Sequence, residues 1–253
     1  MTKYAPREND VRCHPVLKPT YLKHVKKWKH CTKCSAYKTA FNRVFCRGYL
    51  PADVLVIADM PDFQDDAVGS PLLGQGGRLA DRIVHECFVQ YGDPLKPVRP
   101  LFVHSVACKP FTGPKKPRLP PKEALKTCLP RVAEVVALAQ PIFTIVAGES
   151  DYVIRHVLQP MRCPYVKVMD FSAALRQKHP EVAVASMKLD IESQIAFCDE
   201  QVHQRLSLLT QGKAYADHTK KQDRRESWKR RDPKQWLEDL QFFRDQDEDS
   251  QDP

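Results

Sequence analysis

The stretch of sequence that decides the fold runs from Val54 to Ala80 and reads VLVIADMPDFQDDAVGSPLLGQGGRLA. Its first four residues are apolar and predict a buried strand, and an amphipathic helix is expected to begin at Arg78. A loop rich in aspartate and glycine separates the two. In α/β proteins, ligands bind where the carboxyl end of a strand meets the following helix, so we expect the functional site here.

Further strands and helices alternate along the rest of the chain. Strands are predicted at Val44–Tyr49 (short), Leu101–Ala107, Ile142–Ala147 and Tyr165–Asp170. Helices are predicted at Arg78–Tyr91, Lys122–Ala139, Glu149–Leu158 and Lys188–Leu209. Strands separated by helices favour a parallel sheet covered on both faces. The predicted fold class is therefore α/β, a three-layer α/β/α domain with a mostly parallel four-stranded central sheet.

We expect three segments: a basic N-terminal segment at 1–30, the main domain at 31–211, and a charged tail at 212–253. In the first segment Tyr21, Val25 and Trp28 stand at helical spacing among lysines. This helix either lies on DNA or packs its apolar stripe on the core. In the tail, a short amphipathic helix is predicted to dock on a protein partner or on the chain itself, through Trp236, Leu240 and Phe243.

Composition and charge limit the class of protein. The chain has no apolar run long enough to span a membrane, and its first residues lack an apolar signal core, so we expect a soluble intracellular protein with no membrane contact. The tail at 213–253 is nearly neutral (10 Lys and Arg against 11 Asp and Glu), so most of the net charge of +9 lies before it. Such a basic body is typical of a DNA-binding surface, although solubility alone also explains it.

The chain has nine cysteines, an odd and high number. In a reducing compartment such a number favours metal ligation over a disulfide framework. Cys31 and Cys34 form a C-x2-C pair, a spacing that lets two thiolates from one turn bind one metal centre. By itself the pair is compatible with zinc, with an iron–sulfur cluster and with a redox dithiol.

The order of several motifs points to a known family. Residues 58–66 read A-D-M-P-D-F-Q-D-D, residues 69–77 read G-S-P-L-L-G-Q-G-G, and His104, Cys108 and Pro110 follow the next strand. With the C-x2-C pair and Cys128, this order resembles the family-four uracil-DNA glycosylases, the iron–sulfur branch of that superfamily. The family's motifs are G-E-A-P-G-x-x-E-D, G-x-P-F-x-G-x-x-G and N-x-x-x-C-x-P. The resemblance covers roughly residues 31–200.

The resemblance implies a metal centre. It assigns a [4Fe–4S] cluster to four cysteines that are distant in sequence, which are Cys31, Cys34, Cys108 and Cys128. Zinc is the alternative for four thiolates, but the 73 residues between Cys34 and Cys108 argue against a compact zinc finger. The other cysteines are interpreted as ordinary thiols, namely Cys13, Cys46, Cys87, Cys163 and Cys198.

The resemblance also implies an activity, the excision of a base that has been flipped out of DNA. It assigns the carboxylate that orients water or steadies an oxocarbenium-like sugar to Asp59 or Asp65. Asp170 is the third catalytic candidate, because a crowded carboxylate cluster raises one pKa and a protonated Asp170 could assist. Contacts with the base are assigned to Pro61, Leu72, His104 and Ser172. Contacts with DNA phosphates are expected from Lys115, Lys116 and Arg118, which lie in the proline-rich loop after the strand predicted at 101–107, and from Arg176, which follows the last predicted strand.

Several positions depart from the family's motifs. Asp170 stands where an H-P-S motif has the histidine that stabilises the departing base anion, and an ionised aspartate has no proton to donate. Leu72 replaces the aromatic residue that stacks on uracil, and His104 replaces the asparagine that reads the base edge. Two function classes therefore stay open. One is a glycosylase for uracil or another base, and the other is a catalytically degenerate protein that binds DNA or a protein partner.

Overall fold

The computed structural model describes residues 11–91, 98–110 and 119–198, and a six-stranded sheet organises them. The strands are β1 (Val11–Cys13), β2 (Cys46–Leu50), β3 (Val54–Ala58), β4 (Pro100–His104), β5 (Phe143–Ala147) and β6 (Tyr165–Val168). They lie in the order β1-β2-β4-β3-β5-β6. The pair β2–β4 is antiparallel, and the other four pairs are parallel.

Strand β3 lies inside the sheet, and all five of its residues are buried. Its side chains alternate between two hydrophobic cores, because Leu55 and Ile57 lie in one and Val54 and Val56 lie in the other. A strand that is buried on both faces needs apolar residues at every position. This requirement explains why the VLVIA stretch shows no alternation of polar and apolar residues.

Two layers of helices cover the sheet. The helices are α1 (Lys18–Trp28), α2 (Phe63–Val68), α3 (Gln75–Phe88), α4 (Lys122–Ala139), α5 (Asp151–Val153), α6 (Phe171–Leu175) and α7 (Pro180–Phe197). Side chains of α1, α4 and α5, with those of the π-helix Ile154–Leu158, fill one core. Side chains of α3, α6 and α7 fill the other. The predicted three-layer α/β/α fold with a mostly parallel sheet is confirmed.

The predicted sheet of four strands was too small by two. The four strands predicted for it are present as β3, β4, β5 and β6, and they pair in parallel. Strand β1 has three residues, too few to show a periodic pattern, and it pairs with β2. The short strand predicted at Val44–Tyr49 corresponds to β2 and joins the same sheet through an antiparallel ladder with β4.

The loop predicted between the first strand and Arg78 contains a helix, α2. Asp62 and Asp65 form a capping box, in which each side chain accepts a hydrogen bond from the backbone N–H of the other. Helix α3 begins at Gln75, three residues earlier than predicted, so two glycines lie in its first turn. Helix α7 begins at Pro180 rather than Lys188, and the predicted residues 199–209 lie outside the described ranges.

The N-terminal helix α1 packs on the body of the protein. Its Tyr21, Val25 and Trp28 side chains are buried in the core beside α4, as the packing interpretation of this stripe expected. The domain boundaries after residues 30 and 211 stay predictions. The tail helix with Trp236, Leu240 and Phe243 lies outside the described residues. In the part of the chain that the structure describes, no helix has the length and apolar character needed to cross a bilayer.

Candidate active site

Polar and charged side chains collect at the carboxyl edge of the sheet. Asp59 directly follows β3, His104 ends β4, Ser150 lies just after β5, and Asp170 lies just after β6. These four strands are parallel, so their carboxyl ends share one edge, where α/β proteins bind ligands. Asp59, His104 and Ser150 are buried, with exposed fractions of 7%, 2% and 0%.

Asp59 is a buried carboxylate that is held by donors from the loop after β5. Its Oδ1 accepts a hydrogen bond from Ser150 Oγ at 2.5 Å, and the Glu149 N–H lies 3.0 and 3.1 Å from its two oxygens. Ser150 Oγ also lies 2.7 Å from Ser105 Oγ, so polar contacts join the ends of β3, β4 and β5. Burial raises the pKa of Asp59, the carboxylates of Asp170 and Glu149 raise it further, and the two hydrogen bonds oppose the increase.

Asp65 of α2 and His104 of β4 form a buried pair, and β4 lies next to β3, the strand that Asp59 follows. His104 Nε2 lies 2.8 Å from Asp65 Oδ2, and the other carboxylate oxygen accepts the Leu73 N–H at 2.8 Å. Burial acts to raise the pKa of Asp65, but the hydrogen bonds from His104 and from backbone N–H groups outweigh it, so the pKa lies below its ordinary value. Asp65 is therefore an acceptor that joins α2, the turn before α3 and β4.

The same pair limits what His104 offers to a base. Its Nε2 is occupied by Asp65, and its Nδ1 is buried with no hydrogen-bond partner among the described residues. A neutral imidazole has one donor and one acceptor nitrogen, so a single ring atom is left for another group.

The turn that carries Leu72 is fixed from two sides. Leu72 has a φ of +56°, an uncommon conformation for a residue with a side chain. Arg47 donates hydrogen bonds to the carbonyls of Pro71 at 2.8 Å and Leu72 at 3.1 Å, and its guanidinium lies 3.9 Å from the centroid of the Phe102 ring. A Cβ on Gly77 would stand 1.6 Å from the Leu72 carbonyl oxygen, so only glycine fits there. The half-buried Leu72 side chain is thus held at a defined position.

Asp170 and Ser172 lie at the start of α6. Asp170 Oδ1 accepts the Ala173 N–H at 2.8 Å and caps the helix. Ser172 lies against the first turn of α3, because a Cβ on Gly76 would come within 2.4 Å of its Oγ. The charge of Asp170 raises the pKa of Asp59, whose burial is the larger cause, so these two predicted catalytic carboxylates share one site.

The remaining predicted site residues are placed as follows. Pro61 is buried just before α2, and Arg176 is exposed at the end of α6. Lys115, Lys116 and Arg118 lie outside the described residues. The catalytic, base-binding and DNA-binding roles of all these residues stay predictions.

Three of the four predicted cysteine ligands come together near the same edge of the sheet. Cys34, Cys108 and Cys128 belong to one small core cluster, against which Met60 also packs, whereas Cys31 packs against the larger core. Burial raises the pKa of Cys108 to about 12, and the thiols of Cys128 and Cys34 contribute to the increase. Burial also raises the pKa of Cys34, with contributions from the Cys128 and Cys31 thiols. Packing therefore groups Cys34, Cys108 and Cys128, which are distant in sequence, and Cys31 lies three residues before Cys34.

The chemistry of these donors fits a thiolate-ligated metal group. None of the nine cysteines forms a disulfide, so the four proposed ligands keep thiols that a metal can deprotonate and bind. Within residues 11–91, 98–110 and 119–198, no three His, Cys, Asp or Glu side chains are grouped so as to hold a single ion. A four-iron cluster binds its thiolates through different irons, so its ligands do not have to converge on one point.

Sequence reasoning missed three residues that support the site. Ser105 directly follows β4 and Ser150 lies three residues after the end of β5, which is a signal that the sequence carries, and both connect to Asp59. Arg47 gave no local signal, because its partners in the Leu72 turn are 24 and 25 residues away in sequence.

The mostly parallel sheet with helices on both faces defines an α/β protein, a class that binds ligands at the carboxyl edge of the sheet, where the buried carboxylates lie. Curated proteins with similar sequences narrow this class. The type-4 uracil-DNA glycosylase of Pyrobaculum aerophilum is 26% identical over 121 residues, which cover 47% of this chain and 56% of that protein. The type-4 uracil-DNA glycosylase of Saccharolobus solfataricus is 24% identical over 123 residues, or 49% and 53% of the two chains. That of Sulfurisphaera tokodaii is 22% identical over 121 residues, or 48% and 51%.

These similarities are distant and partial. The chain spans about half the length of the curated relatives it matches, and no family model matches it. They support a relationship with the uracil-DNA glycosylase superfamily, in agreement with the resemblance of the motifs.

Proposed function

We propose that the protein is a uracil-DNA-glycosylase-like hydrolase that flips a base out of DNA and excises it. The observation that carries this proposal is the environment of Asp59. It is a buried carboxylate at the carboxyl edge of the sheet, its pKa is raised by burial and by neighbouring carboxylates, and it stands at the glutamate position of the family's first motif. The names of the three relatives support DNA as the partner and uracil as the first base to test.

In this proposal the chain's own residues divide the work of excision. The reaction breaks the bond between the sugar and the flipped base. Asp59 orients water or balances the positive charge that develops on the sugar, and its raised pKa makes it a stronger base. Pro61, Leu72 and Ser172 contact the base, and His104 offers it the one ring nitrogen that Asp65 leaves.

Asp170 is expected to make the excision of uracil slow. It caps α6 with its carboxylate at the position where the family has a donor to the departing base. The loss of one preorganised donor costs about 3–4 kcal/mol, or on the order of a hundred- to a thousandfold in rate. A negative charge near a developing anion adds to this cost.

Cys31, Cys34, Cys108 and Cys128 are proposed to hold a [4Fe–4S] cluster. The group would tie the segment before β2 to the end of β4 and to α4, and all excision chemistry is assigned to side chains at the sheet edge. Iron analysis and visible absorbance of the purified protein test this assignment. Zinc without iron would refute the cluster and support zinc as the bound metal. Protein without either metal would refute both the cluster and the zinc site.

The activity is tested with single- and double-stranded oligonucleotides that carry uracil, hypoxanthine, xanthine or hydroxymethyluracil. Alkali-labile abasic sites are expected with the wild type and with Asp190→Asn, which removes an exposed carboxylate of α7, but not with Asp59→Asn. Salt-dependent binding without abasic sites on any substrate would refute the enzyme and support the degenerate DNA-binding protein.

A pair of variants at Asp170 separates its charge from its missing donor. Asp170→Asn keeps an oxygen that caps α6 but removes the charge. Asp170→His supplies a donor at the departing base and is expected to raise uracil excision well above both Asp170→Asn and the wild type. Equal rates for the two variants would show that the donor position does not face the base.

A further inference from the structure

Arg131 is an unusual residue for the interior of this fold. It lies on α4, one turn after Cys128, and is 1% exposed, the largest fully buried side chain among the described residues. Its Nη2 donates to the carbonyl of His104 and lies 3.4 Å from that of Ser105. Its Nε and Nη1 have no hydrogen-bond partner in the part of the chain that the structure describes. Two of the three nitrogens of this buried guanidinium are therefore without an acceptor among the described residues.

The charge of Arg131 also lacks a carboxylate partner among the described ion pairs. The acidic residue one turn further along α4 is Glu134, which is occupied by His24, Lys27 and Trp28 of α1. A buried charge with no counter-charge is strongly destabilising, and native proteins rarely keep one. An unsatisfied buried donor in a folded protein calls for an acceptor or an anion beyond the side chains and carbonyls described above.

Arg131 lies beside the proposed cysteine ligands. It is one turn from Cys128 on α4, and its Nη2 contacts the carbonyls of His104 and Ser105, which precede Cys108 by four and three residues. Burial raises the pKa of the Cys46 thiol to about 12, and the positive charge of Arg131 opposes this increase. Cys34, Cys108 and Cys128 lie in one core cluster, and Arg43 donates hydrogen bonds to the Cys31 carbonyl. Two arginines thus lie beside the proposed ligands.

We propose that Arg131 is the buried counter-charge of an anionic, thiolate-ligated centre held by Cys31, Cys34, Cys108 and Cys128. The inference rests on the proposed metal group but not on its identity, because four thiolates around either Zn²⁺ or a [4Fe–4S] core leave the centre negatively charged. Arg131 is a positioning and charge-balancing residue, not a catalytic one. Since it also holds the carbonyls of His104 and Ser105, it connects the centre to the strand end that carries the candidate site.

The test compares Arg131→Met, which keeps the volume without the charge, with Arg131→Lys, which keeps the charge, and with the exposed control Arg155→Met. Metal release from the full-length metal-loaded protein is followed under excess chelator. Arg131→Met is expected to release its metal at least about tenfold faster than the wild type, whereas the other two stay within about threefold. If the metal is iron, the reduction potential of Arg131→Met is expected to fall, because a positive charge that favours the reduced cluster is lost.

Thermal unfolding separates this role from packing. In the metal-free protein Arg131→Met is expected to unfold at the same or a higher temperature than the wild type, because it removes an unpaired buried charge. Release at the wild-type rate with an unchanged potential would overturn the inference and leave the metal group standing. If Arg131→Met does not fold, Arg131→Lys decides, since a tenfold faster release would contradict a role of charge. Wild-type protein without metal would instead refute the metal group itself.

Discussion

Ser150→Ala is the substitution that tests most directly how Asp59 is held. The Ser150 hydroxyl is fully buried and donates to Asp59 Oδ1 at 2.5 Å, and the Glu149 N–H is the other donor seen to that carboxylate. A buried hydrogen bond to a charged group contributes about 1.5–3 kcal/mol, against about 1 kcal/mol for a neutral pair. We expect Ser150→Ala to lower the free energy of unfolding by about 1.5–3 kcal/mol where Asp59 is ionised.

The pH dependence gives this prediction its sign. The pKa of Asp59 in the folded protein is raised by burial, so its contribution to stability is present in acid and is lost as the pH rises through the folded pKa. Ser150 opposes that increase, so Ser150→Ala raises the folded pKa further. The difference in stability between wild type and variant therefore grows as the pH rises and levels off above the pKa of the variant.

The measurement is urea unfolding at a series of pH values between acid and neutral, with Ser105→Ala as the matched control. Ser105 lies one hydrogen bond further from Asp59, at 2.7 Å from Ser150. Its removal is expected to cost about 1 kcal/mol at every pH, because a neutral pair is lost. A loss for Ser150→Ala that does not change with pH, or that equals the loss for Ser105→Ala, would show that Asp59 is not charged in this environment.

Three further substitutions test other parts of the structure by urea unfolding. Burial acts to raise the pKa of Glu134, but hydrogen bonds from α1 side chains lower it to about 2. The contribution of Glu134 to stability is therefore present above about pH 4.5 and is lost toward pH 2. Glu134→Gln is expected to lower the free energy of unfolding by about 3 kcal/mol at neutral pH and to flatten this acid dependence. Arg47→Ala is expected to cost about 2 kcal/mol by freeing the Leu72 turn, whereas Arg82→Ala, at an exposed i,i+4 pair, changes stability by less than about 0.5 kcal/mol. Gly77→Ala is expected to cost about 3 kcal/mol, because its Cβ would overlap the Leu72 carbonyl oxygen; a neutral effect would mean that this turn moves freely.

The parts of the fold that the sequence predicted are those in which one local pattern has one structural meaning. Val54–Ile57 is apolar at every position, rich in β-branched residues and followed by a polar loop, which is typical of a strand buried on both faces. Helix α4 was predicted at its observed bounds, because eighteen residues give the periodic signal enough length. Strand β1 was not predicted, since three residues carry no period and its place depends on β2.

The candidate site was predictable in its positions but not in its contacts. Asp59, His104 and Asp170 stand at strand ends, which the strand pattern locates along the chain. The hydrogen bond from His104 to Asp65 spans 39 residues, and no local rule indicates it. No local rule indicates the burial of Arg131 either. An arginine on a helix such as α4 is expected at the surface or in an ion pair, whereas Arg131 is fully buried.

Asp170 shows that capping and electrostatics are not competing explanations for a carboxylate at this edge. Its hydrogen bond to the Ala173 N–H accounts for its presence at the start of α6. The cap also fixes the carboxylate, and from that position its charge adds to the effect of burial on the pKa of Asp59. In the proposed reaction, a histidine in the same place would supply a donor to the departing base and would not add a negative charge beside Asp59. Under that proposal, the exchange of one residue weakens the stabilisation of the leaving group and strengthens the proposed base, and both effects follow from the same fixed position.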